Sequence, residues 1–131
     1  MIAVDTNVIV RLATRDDETQ FFRAREVFRH HDVFVPDTVL LETVWVLGYA
    51  YGFEREQIAK ALSALCGQAN VRLANEVMMA QVIQWYRAGM DFADALHLAQ
   101  SASCEMLLTF DARFIKKAKK LSRCKVAEPP V

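Results

Sequence analysis

The chain has 131 residues, enough for one domain with its own core, and 53% of them are apolar against 24% charged, the balance of an ordinary globular fold. No apolar run reaches the roughly 20 residues of a membrane span, and the start has neither a basic segment nor a cleavage-site pattern, so a cytoplasmic protein is expected. Net charge is zero, which excludes a uniformly basic nucleic-acid binder, yet seven bases and no acid fall between Arg113 and Lys125, leaving the rest of the chain at −7.

In chain order, Ile2-Ala3-Val4 reads as a short buried strand ending at Asp5. Thr6 is then placed to cap a helix from about Asn7, with Val8, Ile9 and Leu12 apolar. Asp16, Asp17 and Glu18 precede a second helix whose Phe21, Phe22, Ala24, Val27 and Phe28 recur at helical spacing. Val33 to Val35 forms a strand, and Thr38 to Tyr51 a helix that Gly52 ends. Glu54 to Cys66 is helical up to Gly67, Asn70 to Leu73 a weak strand, and Glu76 to Arg87 a helix closed by Gly89. Asp91 to Ser103 is helical, Glu105 to Phe110 a strand, Asp111 to Leu121 a basic helix, and Lys125 to Ala127 a last edge strand.

Strands alternating with helices predict parallel pairing and an α/β fold over a single domain, residues 1–131, with no linker or repeat. In such folds ligands bind beyond the carboxyl ends of strands, where Asp5 and Asp111 fall. Glu42 is the only charge between Thr38 and Tyr51, so a largely buried helix should carry it toward a partner, either a cation or a basic side chain. Asp94 sits inside an apolar helix, with Asp91 one turn before it as the expected cap and His97 one turn after it as a satisfied, partly buried histidine. Carboxylates without His or Cys companions select Mg²⁺ or Mn²⁺, and a divalent ion turns an acidic cluster into a phosphodiester site. Cys66, Cys104 and Cys124 show no zinc spacing and read as buried or incidental thiols.

Four segments carry a family resemblance: Val4-Asp5-Thr6-Asn7-Val8-Ile9-Val10-Arg11, Leu40-Leu41-Glu42-Thr43-Val44-Trp45-Val46-Leu47, Asp91-Phe92-Ala93-Asp94-Ala95-Leu96-His97-Leu98-Ala99 and Leu108-Thr109-Phe110-Asp111-Ala112-Arg113-Phe114. In this order they resemble the motifs of PIN-domain proteins, and the bare length resembles the VapC-type toxins of bacterial toxin–antitoxin pairs. The resemblance implies a three-layer α/β/α sandwich around a small, mainly parallel sheet. It implies a Mg²⁺- or Mn²⁺-dependent endoribonuclease cleaving RNA with metal-activated water. Asp5, Glu42, Asp94 and Asp111 would form its acidic site, with Asp5 and Asp94 as direct ligands and Glu42 and Asp111 binding directly or through water. Asn7, Thr109 and the extra acid Asp91 would stand beside the ligands and orient them. A homodimer and a small antitoxin partner are also implied. Arg113, Lys116, Lys117 and Lys120, which follow Asp111, are the candidate contacts to the RNA backbone. Two alternatives stay open: a non-catalytic PIN-like RNA-binding or dimerisation module, and an aspartate-nucleophile phosphatase, for which Asn7 stands where a second aspartate is needed.

Overall fold

A computed structural model describes all 131 residues. It divides into two compact units, Met1–Glu76 and Val77–Val131. Helices alternate with short parallel strands in both, which is the expected α/β class.

The first unit holds β1 (Ile2–Ala3), α1 (Thr6–Thr14), α2 (Glu18–His30), β2 (Val33–Phe34), α3 (Asp37–Tyr49), α4 (Arg55–Cys66) and β3 (Val71–Arg72). Its sheet has the order β1-β2-β3, all parallel, with Ile2 opposite Val33 and Val33 opposite Val71. Val33 and Val71 bury completely or nearly so, as do Leu40 and Leu47 of α3 and Ala59 and Leu62 of α4 in the same unit. The expected burial of the first strand does not hold. Ile2 and Ala3 are exposed, since β1 pairs on one side only, and burial begins at Val4.

Local chemistry sets the helix ends. Asp5, not Thr6, is the N-cap of α1, accepting from the Val8 amide at 3.4 Å. Asp17 caps α2 through the Gln20 amide at 2.9 Å. The helix expected from Thr38 starts one residue earlier, where the Pro36 carbonyl takes the Val39 and Leu40 amides. Glu54 and Gln57 close a reciprocal capping box on α4. The Asn70 side-chain amide donates to the Phe28 and His31 carbonyls and so ties the end of α2 to the approach to β3.

The second unit holds α5 from Val77 onward (the helix spans Glu76–Arg87), α6 (Phe92–Gln100), β4 (Leu107–Leu108), α7 (Ala112–Leu121) and β5 (Val126–Ala127). β4 and β5 pair in parallel, Leu107 opposite Val126. The helix expected to run to Ser103 stops at Gln100, where Ser101 takes up the Leu98 carbonyl in a turn. Met79, Val82, Phe92, Ala95, Leu98 and Ala118 are buried here. The Trp85 indole N–H donates to the Leu121 carbonyl at 3.1 Å, fixing the end of α7 to α5. No helix of the chain is long and apolar enough to cross a membrane.

Candidate functional site

Asp5 ends the first strand, as its position predicts, and its carboxylate is exposed. By capping α1 it leaves the Thr6 hydroxyl free for another task. Thr6 is buried, and its Oγ1 donates a short hydrogen bond to Glu42 Oε1 on α3. The first turn of α1 therefore both presents Asp5 and holds Glu42. Thr6 is the functional neighbour that sequence reasoning assigned to capping alone; the signal available was a hydroxyl directly after the acid.

Glu42 itself departs from expectation. The argument from a lone charge in a buried helix fails, because Glu42 is exposed. The inward stripe of α3 is Leu40, Thr43 and Leu47, and its outward face carries Trp45 (62% exposed) and Tyr49 (80% exposed) beside Glu42. The two rings stack at 4.9 Å, covering part of each other's surface in place of a core. Apolar composition misread this helix because its apolar residues surround it instead of forming one stripe.

In the second unit, Asp91 is the N-cap of α6, its Oδ2 accepting from the Asp94 amide at 3.1 Å. The capping role expected of Asp91 is what the structure has. Asp94 is the third residue of α6, within its first turn and not deep in the helix. Its carboxyl is held above its ordinary value by burial first, then by the Asp91 and Asp111 carboxylates, with His97 opposing them. His97 is exposed, contrary to the partly buried histidine expected, because Leu96 and Leu98 on either side take the inward positions. Asp111 caps α7, accepting from the Arg113 amide at 2.9 Å and the Phe114 amide at 3.1 Å. Its own amide donates to the Thr109 hydroxyl at 3.0 Å, so Thr109 shapes the turn that aims Asp111. Asn7, the other polar neighbour expected to orient the acids, is exposed and lines a cavity against α2.

Each of these aspartates thus has backbone amides or a neighbouring helix start to fix it, and negative charge at a helix start is favoured by the dipole. In neither unit do three His, Cys, Asp or Glu side chains converge into a ready-made metal cage. The donor chemistry nonetheless fits a hard divalent ion. All candidate ligands are carboxylates, and the Asp91 and Asp111 carboxylates add to burial in raising the Asp94 carboxyl, a repulsion that a cation would relieve.

The basic helix behaves as its pattern predicts. Phe114 and Ala118 are buried, while Arg113, Lys116, Lys119 and Lys120 are exposed. Lys117 is the exception: its ammonium lies against Gly89, where an added Cβ would come within 2.8 Å of Nζ. Gly89 also has φ +112°, so the turn favours glycine there, while the flexible end of Lys117 can give way to a side chain. No cysteine is paired, and Cys104 is exposed. Burial and the Glu76 carboxylate push the Cys66 thiol up to about 11, which leaves it inert at neutral pH.

Compared with curated proteins, the chain finds no match. Compared with protein families, it matches the PIN domain over residues 2–120, a span that contains all four acid-bearing segments. The chain belongs to the PIN domain family, whose members are generally metal-dependent nucleases.

Proposed function

We propose that this protein is a Mg²⁺- or Mn²⁺-dependent endoribonuclease and the toxin of a VapBC-type toxin–antitoxin pair. The observation that carries the reading is the family match over residues 2–120, which runs through both units without a break and contains Asp5, Glu42, Asp94 and Asp111. That continuity also supports a single functional domain. The order of the four motifs supports the nuclease reading, and the toxin role, with a cytoplasmic homodimer held in check by a small antitoxin, is the finer part of the proposal.

Asp5 and Asp94 are the acids that would hold the ion, with Glu42 and Asp111 joining directly or through water. When bound, the ion would supply Lewis-acid chemistry, making a water nucleophilic at neutral pH and neutralising phosphate charge. The chain's own part is positioning. The Thr6 hydroxyl holds one Glu42 oxygen and leaves the other available. The Asp91 cap fixes the first turn of α6 and with it Asp94. The Arg113 and Phe114 amides both engage Asp111 Oδ1, leaving Oδ2 to face outward. Arg113, Lys116 and Lys120 are exposed beyond that cap and suit contact with RNA phosphates.

The test is cleavage of RNA by purified protein with Mg²⁺ or Mn²⁺. Asp5→Asn and Asp94→Asn should each lower the rate by at least about a hundredfold, the usual scale for losing a group that stabilises the transition state. Full activity in either variant overturns the assignment. Co-purification of a small protein encoded by the adjacent reading frame, with suppression of cleavage, tests the toxin role separately.

A further inference from the structure

A cavity of about 320 Å³ lies between α1 and α2, in the size range of small-ligand sites. α1 contributes Asn7, Val8 and Arg11, and α2 contributes Gln20, Arg23 and Val27, one stripe at helical spacing. Val8 and Val27 give it an apolar floor. Arg11 is already engaged: its Nε donates to Gln20 Oε1 at 2.7 Å and its Nη1 pairs with Asp16 at 3.4 Å. The Gln20 carbonyl is thereby used, and its amide N–H groups remain to donate. Arg23 takes part in no ion pair or hydrogen bond, so a full guanidinium fork is uncommitted on the cavity wall.

We propose that this cavity is the subsite for a guanine base of single-stranded RNA, read by Arg23. The inference rests on the nuclease reading and specifies its substrate. An apolar floor suits the face of a base and does nothing for a phosphate. Guanine presents O6 and N7 side by side as acceptors, which matches the parallel N–H groups of one guanidinium. Gln20 adds a donor at the edge. The cavity is an open groove, and an unstacked base can offer it both face and edge while a duplex keeps its base faces covered, which favours single strands and loops over duplex. The position fits the chemistry as well. Asn7 lies in the same helical turn that Asp5 caps and from which Thr6 holds Glu42, so the cavity begins on the turn that carries the acids of the first unit.

The experiment uses the full chain and a single-stranded RNA of uridines with one guanine, against the same RNA carrying 7-deazaguanine, which lacks N7. Binding is measured on the Asp94→Asn background so that the RNA stays intact, and cleavage on the wild-type protein. The Asp94→Asn protein should prefer guanine by about tenfold, the scale of a bidentate base contact. Arg23→Ala should abolish the preference. Arg23→Lys should recover overall affinity without the preference, because an ammonium is a point charge and not a fork. Arg23 is exposed and unpaired, so thermal melting should be unchanged in both variants. Equal weakening of both RNAs by Arg23→Ala would assign the guanidinium to a phosphate and overturn the inference. So would a preference that survives Arg23→Ala, or no preference at all. In each of those cases continued cleavage by the wild-type protein leaves the nuclease reading standing, whereas absence of cleavage and binding for every RNA removes both.

Discussion

Thr6 shows how much one hydroxyl can decide. Its hydrogen bond crosses from α1 to Glu42 on α3, and Glu42 is otherwise an exposed side chain with several rotamers. Thr6→Val should therefore lower the cleavage rate by about tenfold, the lower end for losing a group that orients a ligand. Because Glu42 is exposed, water replaces the lost hydroxyl and melting should change little. Thr6→Ser should restore the rate, and a wild-type rate for Thr6→Val would show that Glu42 needs no such support. Asp94 makes the opposite trade. Its carboxyl titrates above the ordinary value of 3.8, so between the unfolded and folded values the folded state keeps a proton that the unfolded state has released. Stability is thus lost as pH rises through that window, and at neutral pH the ionised form carries a penalty. Asp94→Asn should raise the melting midpoint of metal-free protein at pH 7, with the gain shrinking as pH falls toward the ordinary carboxylate range. The same variant should lose the stabilisation that Mg²⁺ or Mn²⁺ gives the wild type and that chelation removes.

At the scale of elements, the starts of α1, α6 and α7 share one device: an aspartate in non-helical backbone caps the helix through one carboxylate oxygen. Function and helix stability are therefore mixed in any alanine scan. Asparagine caps nearly as well as aspartate but cannot serve as a charged ligand. Asp111→Asn should melt close to the wild type yet fail to cleave RNA, whereas Asp111→Ala should fail to cleave and lose about 1 kcal/mol through the cap. Denaturant unfolding of the pair separates the two roles; equal stability would mean that the amide contacts at 2.9 and 3.1 Å contribute nothing. The cap is legible in the sequence at Asp91, and charge and pattern place the helix starts at Asp17 and Asp111, because a helix start depends on a few neighbouring residues. At α1 the sequence points to Thr6 and the structure has Asp5, since both can cap and Thr6 instead donates to Glu42 on α3.

Over the whole molecule, zero net charge hides a segregated pattern, with the seven bases of residues 113–125 set against an acidic remainder. Binding to a polyanion should then depend on salt through the few cations that meet phosphates. Replacing Lys116 and Lys120 together by alanine should reduce the slope of log affinity against log salt by about 1.4, roughly 0.7 per single-strand phosphate contact. The measurement is a salt titration of RNA binding on the Asp94→Asn protein, and an unchanged slope would make the strip a solvated helix face and nothing more. Lys117 is left out of that pair because its ammonium is packed on Gly89.

What the sequence determined by itself was local or periodic: the α/β alternation, a second helix through Phe21 to Phe28, helices over 54–66 and 76–87, the Asp91 cap and the two acids at strand ends. These follow from neighbours within one or two turns, which a linear pattern contains. The resemblance to the family motifs supplied the four acids of the proposed site. Only tertiary structure decided the rest. It exposed Glu42 and gave it Thr6, turned Trp45 and Tyr49 outward, and left Ile2 and Ala3 on a sheet edge. It also set Arg23 opposite Asn7 across a cavity that nothing in their spacing announces. The physical reason is the same in each case. Burial and polar pairing depend on what a distant segment places alongside, and composition counts residues without saying which face meets which neighbour.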